Sequence, residues 1–173
     1  ARPDAIAIAG LTDGQITPAD FSCAAGEIIG ITGVPEAGFE RIAGLLGGVV
    51  RPVAGRLTMD GADQAVSGWS AADFIDRGVC LVPERRERDG LAFEMSVQEN
   101  IALPALSREG SAWHVGRGWQ RDRVRRYTAE LGIRPPTPMA RVRELSGGNQ
   151  QKVLLAKWLS MDPAVIVLHE PTQ

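Results

Sequence analysis

Five residues near the carboxyl end, Leu145, Ser146, Gly147, Gly148 and Asn149, limit this chain's fold more than any others. They precede a stretch in which Val153, Leu154, Trp158 and Leu159 recur at helical spacing, so the segment reads as a helix with one apolar face packed on a core. Gly147 and Gly148 carry no Cβ to block close approach. The unpaired N–H groups and the positive dipole end of the helix therefore form a seat for a phosphate, and Ser146 adds a hydroxyl donor. Asp162 and Pro163 stop the helix, and the run Ala164-Val165-Ile166-Val167-Leu168 follows with the composition of a strand buried on both faces, as in a parallel sheet flanked by helices. Ligands of open α/β sheets sit at strand carboxyl ends. Glu170 stands at that end, where a carboxylate orients or deprotonates a water attacking a γ-phosphate. Taken singly, Glu170 reads equally well as a loop carboxylate and 145–149 as a turn with a helix cap; their order and spacing together favour nucleotide chemistry.

Upstream, Gly26 to Thr32 reads as a strand carrying Ile28, Ile29 and Ile31. It leads into Gly33, Val34, Pro35, Glu36, Ala37, Gly38, Phe39 and Glu40, whose glycine spacing is that of a loop that curls backbone N–H groups around phosphate oxygens. The side chains that usually complete such a loop are absent. Phe39 stands at the lysine position and Glu40 at the metal-binding Ser/Thr position. Two unit charges about 4 Å apart interact by roughly 4 kcal/mol at an effective dielectric near 20, whereas micromolar affinity totals about 8 kcal/mol. Losing the lysine and bringing Glu36 and Glu40 to the loop therefore predicts weak or no ATP binding there, with Arg41 a partial substitute only if it turns inward.

With these residues in view, LSGGNQQKV at 145–153 and VLHEPTQ at 167–173 resemble the signature motif and Walker B strand of sugar-importing ABC transporters. The stretch Val82 to Leu91, VPERRERDGL, is similar to the Q-loop region in the second ATPase half of tandem pentose and hexose importers. The resemblance runs from about Gly26 to Gln173. It implies an α/β fold, a P-loop NTPase (ABC ATPase) core with an antiparallel β-subdomain and a helical subdomain, truncated at the carboxyl terminus inside the D-loop.

The implied domains are 1–83 (β-subdomain and first part of the core), 84–143 (helical subdomain facing the membrane subunits) and 144–173 (signature motif and Walker B strand). The implied cofactors are ATP and Mg2+ in a site shared by two halves. Glu170 is implied as the catalytic carboxylate, with Glu84, at the Q-loop glutamine position, beside it. No residue is assigned as a metal ligand, because His169 stands where the pattern has aspartate and imidazole suits a hard cation poorly. In ABC dimers the phosphate loop of one half faces the signature motif of the other. A half with degenerate cis residues can thus serve its partner through Leu145 to Asn149. The implied partners are that ATPase half on the same polypeptide, transmembrane permease subunits and, indirectly, a sugar-binding protein, at the cytoplasmic face of the membrane. Repair and chromosome ATPases share these motifs but insert long heptad repeats, which do not occur between Gly38 and Leu145. Translation-associated ABC proteins carry similar motifs too, and a purely structural half that binds no nucleotide would also fit the degenerate loop.

A chain of 173 residues, 44% hydrophobic and 23% charged, is large enough for one sizeable core. Its net charge of −2 gives no reason to expect nucleic acid, and the arginines from Arg117 to Arg143 read as a solvated helical face. Cys23 and Cys80 lack metal-ligand spacing and read as reduced core residues. No apolar run approaches the ~20 residues that span a bilayer. Further expectations are strands Ala5 to Leu11, Gly55 to Met59 and Val79 to Val82, a turn at Asp60-Gly61, a helix Phe39 to Leu46, a Ser96/Glu99 capping box and a helix through about Leu103. Beyond it come a loop at Ser107 to Gly118, a helix Gln120 to Leu131 and a connector at Pro135, Pro136 and Pro138. Leu91, Phe93 and Met95 read either as a groove for a permease helix or as ordinary packing, and Trp113 and Trp119 carry no role.

Overall fold

The computed structural model describes the backbone of residues 4–34, 38–108 and 117–171. The chain divides into two compact units, one formed by Ala1–Leu81 with Ala164–His169, the other by Val82–Pro163 with Glu170–Gln173.

The first unit is built on an antiparallel sheet of order β2-β1-β3-β4, from β1 (Asp4–Thr12), β2 (Ala19–Ala24), β3 (Ala54–Met59) and β4 (Ala62–Ala65). In β1 Ile6 and Ile8 are buried while Ala9 is exposed, the alternation of a half-buried strand. Gly10, at φ 64°, bulges the strand, shifts the register between Ile8 and Leu11 and thereby returns Leu11 to the core. The β3–β4 hairpin turns on Asp60 and Gly61, both at positive φ, the geometry whose twist matches paired strands. Helices α1 (Glu40–Leu46) and α2 (Ala71–Asp76) lie in this unit, with Leu45, Leu46 and Phe74 buried among Ile6, Leu57 and Val66. A second sheet pairs β5 (Val79–Val82), buried throughout, with β6 (Val165–Leu168). Cys80 is buried in β5 and Cys23 half-buried in β2.

Two expectations fail here. Residues 27–34 form no strand: the backbone is irregular, Ile28 is 97% exposed, and Ile29 and Ile31 are exposed as well. Apolar spacing marks a segment as strand-capable, but a strand exists only where its N–H and C=O groups find a ladder, and no described strand pairs with this segment. Strand β6 forms as expected, yet Val165, Ile166 and Val167 are half-buried and Leu168 exposed, so it is not covered on both faces.

The second unit is helical. A π-helical turn (Arg86–Gly90) precedes α3 (Val97–Arg108), α4 (Arg117–Glu130), a 3-10 turn (Val142–Glu144) and α5 (Gly147–Leu159). The Ser96/Glu99 capping box is present in full: Ser96 N donates to Glu99 Oε2 at 2.7 Å and Glu99 N donates to Ser96 Oγ at 3.2 Å. The Ser96 hydroxyl, which donates to Glu99 Oε2 at 2.7 Å, and the Ser96 N–H together hold the Glu99 carboxyl below its ordinary pKa. Helix α3 runs five residues past Leu103, and the expected loop shrinks because Ser107, Arg108, Arg117 and Gly118 are helical; Trp113 lies outside the described residues. Val97, Ile101, Val124, Val153 and Leu154 are buried in the core that α3, α4 and α5 share, and Tyr127 Oη donates to Leu159 O at 2.8 Å between α4 and α5. Arg121, Arg125 and Arg126 are exposed on α4, as a solvated face requires. Leu91 is buried, while Phe93 and Met95 are half-buried and accept backbone bonds from Arg143 and Val142.

Candidate functional site

Helix α5 opens at Ser146, whose extended backbone (φ −64°, ψ 154°) turns the chain into the helix and whose carbonyl accepts from Asn149 N and Gln150 N, both at 2.9 Å. Ser146 makes no capping bond to the helix with its side chain, so the Gly147 and Gly148 N–H groups keep their capacity for an external acceptor. Its Oγ instead accepts from Asn149 Nδ2 at 2.9 Å, while Asn149 Oδ1 accepts from Arg134 N at 2.8 Å. The Arg134 donor fixes which way the Asn149 amide points. That arrangement orients the Ser146 oxygen and leaves its own hydrogen to donate outward. Ser146, Gly147 and Gly148 are exposed, and a Cβ built on Gly148 would meet nothing within 4 Å. Leu145, by contrast, is buried and anchors the turn. A phosphate fits this mouth: it offers backbone donors, a hydroxyl, a positive dipole end and open access.

The loop at 33–40 differs. Gly38 adopts φ 70°, and a Cβ there would stand 2.5 Å from Ile16 Cγ2, so glycine is required by both conformation and space. The Phe39 ring lies against Gly33, with Cδ1 3.2 Å from where a Gly33 Cβ would be. Arg41 does not turn inward. Its guanidinium is paired with Asp13, Nε donating to Oδ2 at 2.7 Å and Nη2 also reaching that oxygen. Burial works to raise the Asp13 carboxyl, but the bonds from Gln15 N and Arg41 outweigh it and hold the pKa below its ordinary value. Glu40 occupies the positive end of α1. Gly33 and Val34 are exposed; Pro35, Glu36 and Ala37 lie outside the described residues. The described part of this loop thus presents a phenyl ring, a cation already engaged by Asp13 and a carboxylate at the helix start.

Glu84 is exposed between β5 and the π-turn, and Glu170 is exposed with a left-handed backbone (φ 48°), uncommon for a residue with a Cβ. His169 is half-buried. Among the described residues no group of three or more His, Cys, Asp or Glu side chains is arranged to hold a metal.

Sequence reasoning missed three residues on or against α5: Arg86 and Gln150 near the mouth, and Lys157 further along the helix. Gln150 and Lys157 are buried on the α5 face that also carries Val153 and Leu154. Their register, 150, 153, 154 and 157, was the available signal: two polar residues on an apolar stripe need buried partners. Gln150 Nε2 donates to Leu145 O at 3.0 Å and Val142 O at 3.3 Å, and its Oε1 accepts from Arg86 Nε at 3.2 Å. Lys157 Nζ donates to Gly90 O at 2.7 Å, and burial pushes this ammonium below its ordinary pKa.

An antiparallel β-unit, a helical unit and a Gly-Gly helix mouth are the parts of an ATP-binding cassette. The chain belongs to the ABC transporter family, whose sequence profile matches residues 16–173, and it is an ATP-binding domain of that family with the P-loop NTPase fold. Over 172 residues it is 39% identical to an Agrobacterium fabrum protein named for ribose/galactose/methyl galactoside import, covering 99% of this chain and 34% of that protein. It is also 37% identical over 164 residues to the arabinose import ATP-binding protein AraG of Pseudomonas savastanoi, covering 94% and 32% respectively. The chain thus spans about a third of the length of these relatives. A dimeric ATP-binding cassette in a post-hydrolysis state with ADP and phosphate shares the fold at TM-score 0.76 and 19% identity, over 96% of this chain and 74% of that one. No helix of the described residues is long and apolar enough to cross a membrane.

Proposed function

We propose that this chain is part of the ATP-binding component of a sugar ABC importer and that its main contribution is to complete, through its signature mouth, an ATP site whose phosphate loop belongs to a partner half. The observation that carries this reading is a contrast between two helix entrances: Ser146, Gly147 and Gly148 are open and donor-rich, whereas Phe39 lies on Gly33 and Arg41 is held by Asp13. When bound, ATP with its magnesium supplies the scissile γ-phosphate. This chain's role is to donate from the Gly147 and Gly148 amides and the Ser146 hydroxyl to that phosphate, stabilising charge as it develops. Glu170 and Glu84 are the proposed carboxylates of the chain's own half, with Leu145 and Asn149 shaping the turn. The relatives' names support sugar import, with ribose, galactose and arabinose among the cargoes named for them. The proposed partners are a second ATPase half on the same polypeptide, permease subunits contacted by 84–143, and a sugar-binding protein reached through the permease. The proposed place is peripheral, at the cytoplasmic face of the membrane.

The test is sugar-stimulated ATP hydrolysis by the full-length transporter. Ser146→Tyr is expected to lower it about 100-fold while nucleotide still binds the partner half; parental turnover in that variant contradicts the proposal.

A further inference from the structure

We propose that Arg86 is a positioning residue for the signature mouth, acting through Gln150; this rests on the signature-donor reading above. Arg86 opens the π-turn, and its Nε donates to Gln150 Oε1 at 3.2 Å. The other end of the same amide, Gln150 Nε2, donates to Leu145 O at 3.0 Å and Val142 O at 3.3 Å. Gln150 is only 7% exposed, so its orientation is decided by protein partners rather than water. Arg86 supplies the donor that keeps Oε1 turned toward the π-turn and Nε2 turned toward the carbonyls. Without it a buried acceptor loses its partner and the amide gains a reason to rotate.

The Leu145 carbonyl shares one planar peptide unit with the Ser146 N–H, so holding the carbonyl holds the plane that launches Ser146 toward the phosphate. The guanidinium is also packed against the mouth itself. A Cβ on Gly147 would stand 3.1 Å from Arg86 Nη2, tighter than ordinary contact, so glycine at 147 serves the docking of Arg86 as well as phosphate access. The far end of the π-turn is tied to the same helix: Gly90 O accepts from Lys157 Nζ at 2.7 Å, and a Cβ on Gly90 would meet Leu154 Cδ1 at 3.0 Å. The turn after Glu84 and helix α5 are thus clamped at both ends, and a displacement of the turn is delivered to the Leu145–Ser146 peptide.

The experiment uses the full-length transporter and compares the parent, Arg86→Ala, Gln150→Met and the double variant. Arg86→Ala is expected to lower kcat for ATP hydrolysis about tenfold while KM for ATP stays within about twofold, because the residue tunes the mouth and not the partner's phosphate loop. The double variant is expected to lose no more than Gln150→Met alone, as for two residues in one relay. Deuterium uptake over 145–149 is expected to quicken in Arg86→Ala with uptake over 71–82 unchanged, a readout independent of activity and usable even if Gln150→Met lowers the yield of folded protein. Parental uptake over 145–149, or losses that multiply in the double variant, overturns the relay. Ser146→Tyr measured alongside separates the two claims: if it keeps parental turnover the donor reading falls, whereas the deuterium comparison still judges Arg86.

Discussion

The chain contains two glycine-bearing entrances to a helix, and they have opposite fates. At 145–148 Gly148 faces open space, Gly147 is exposed with Arg86 packed behind it, and the serine hydroxyl is oriented by Asn149. At 33–40 the glycines persist, yet a phenyl ring lies against one side of Gly33, the nearby cation Arg41 is spent on Asp13, and Glu40 sits at the helix start. A glycine pattern therefore specifies backbone shape. Capacity for phosphate is decided by what the adjoining side chains do with the space and charge.

The strongest break in this comparison is Ser146→Tyr, which fills the mouth. In the full-length transporter it is expected to cost about 100-fold in ATP turnover, the scale of losing a donor aimed at developing charge; a loss under threefold would erase the difference between the two entrances. Paired alanine substitutions sharpen it. Gly148→Ala has room for its methyl, so the thermal midpoint is expected to stay within about 2 °C while turnover drops roughly tenfold through hindered approach. Gly38→Ala sits at φ 70° against Ile16 and is expected to destabilise by roughly 1–2 kcal/mol with little effect on turnover. Calorimetry and steady-state hydrolysis on the same preparations read both, and an interchange of the two phenotypes would refute the assignment.

Much of the architecture is legible in the residues alone. Asp60-Gly61 and Ser96/Glu99 name their own geometry, because a two-residue turn and a capping box need only local atoms. The Gly-Gly mouth is legible for the same reason. The segment 27–34 is not, since strand formation depends on a neighbour that spacing cannot reveal. Nor is the fate of Arg41, whose partner Asp13 lies 28 residues away, or that of Arg86, 64 residues from Gln150. Side-chain charge is readable; its commitment to a distant partner is not.

Two smaller effects probe the closed entrance. Phe39→Lys is expected to raise ATP affinity at the loop about tenfold, since a new charge pair contributes a few kcal/mol before desolvation is subtracted. Titration with a fluorescent ATP analogue checks it, and an unchanged affinity would mean that more than the missing cation closes the loop. The smallest effect concerns acid stability. Asp13 has a folded pKa below its unfolded value, so its contribution is present above the unfolded pKa of about 3.9 and is lost as pH falls through the folded one. Asp13→Asn is therefore expected to flatten the acid limb of the stability curve below about pH 4 and to leave its slope at neutral pH unchanged, as followed by denaturant midpoints.

The most direct measurement is the number of nucleotides trapped by orthovanadate in the full-length transporter, with and without Ser146→Tyr. One trapped ADP per pair of ATPase halves, lost in the variant, is the result expected if this chain lends its signature mouth and holds no nucleotide in its own loop. Two trapped nucleotides per pair, or one that survives Ser146→Tyr, would contradict it.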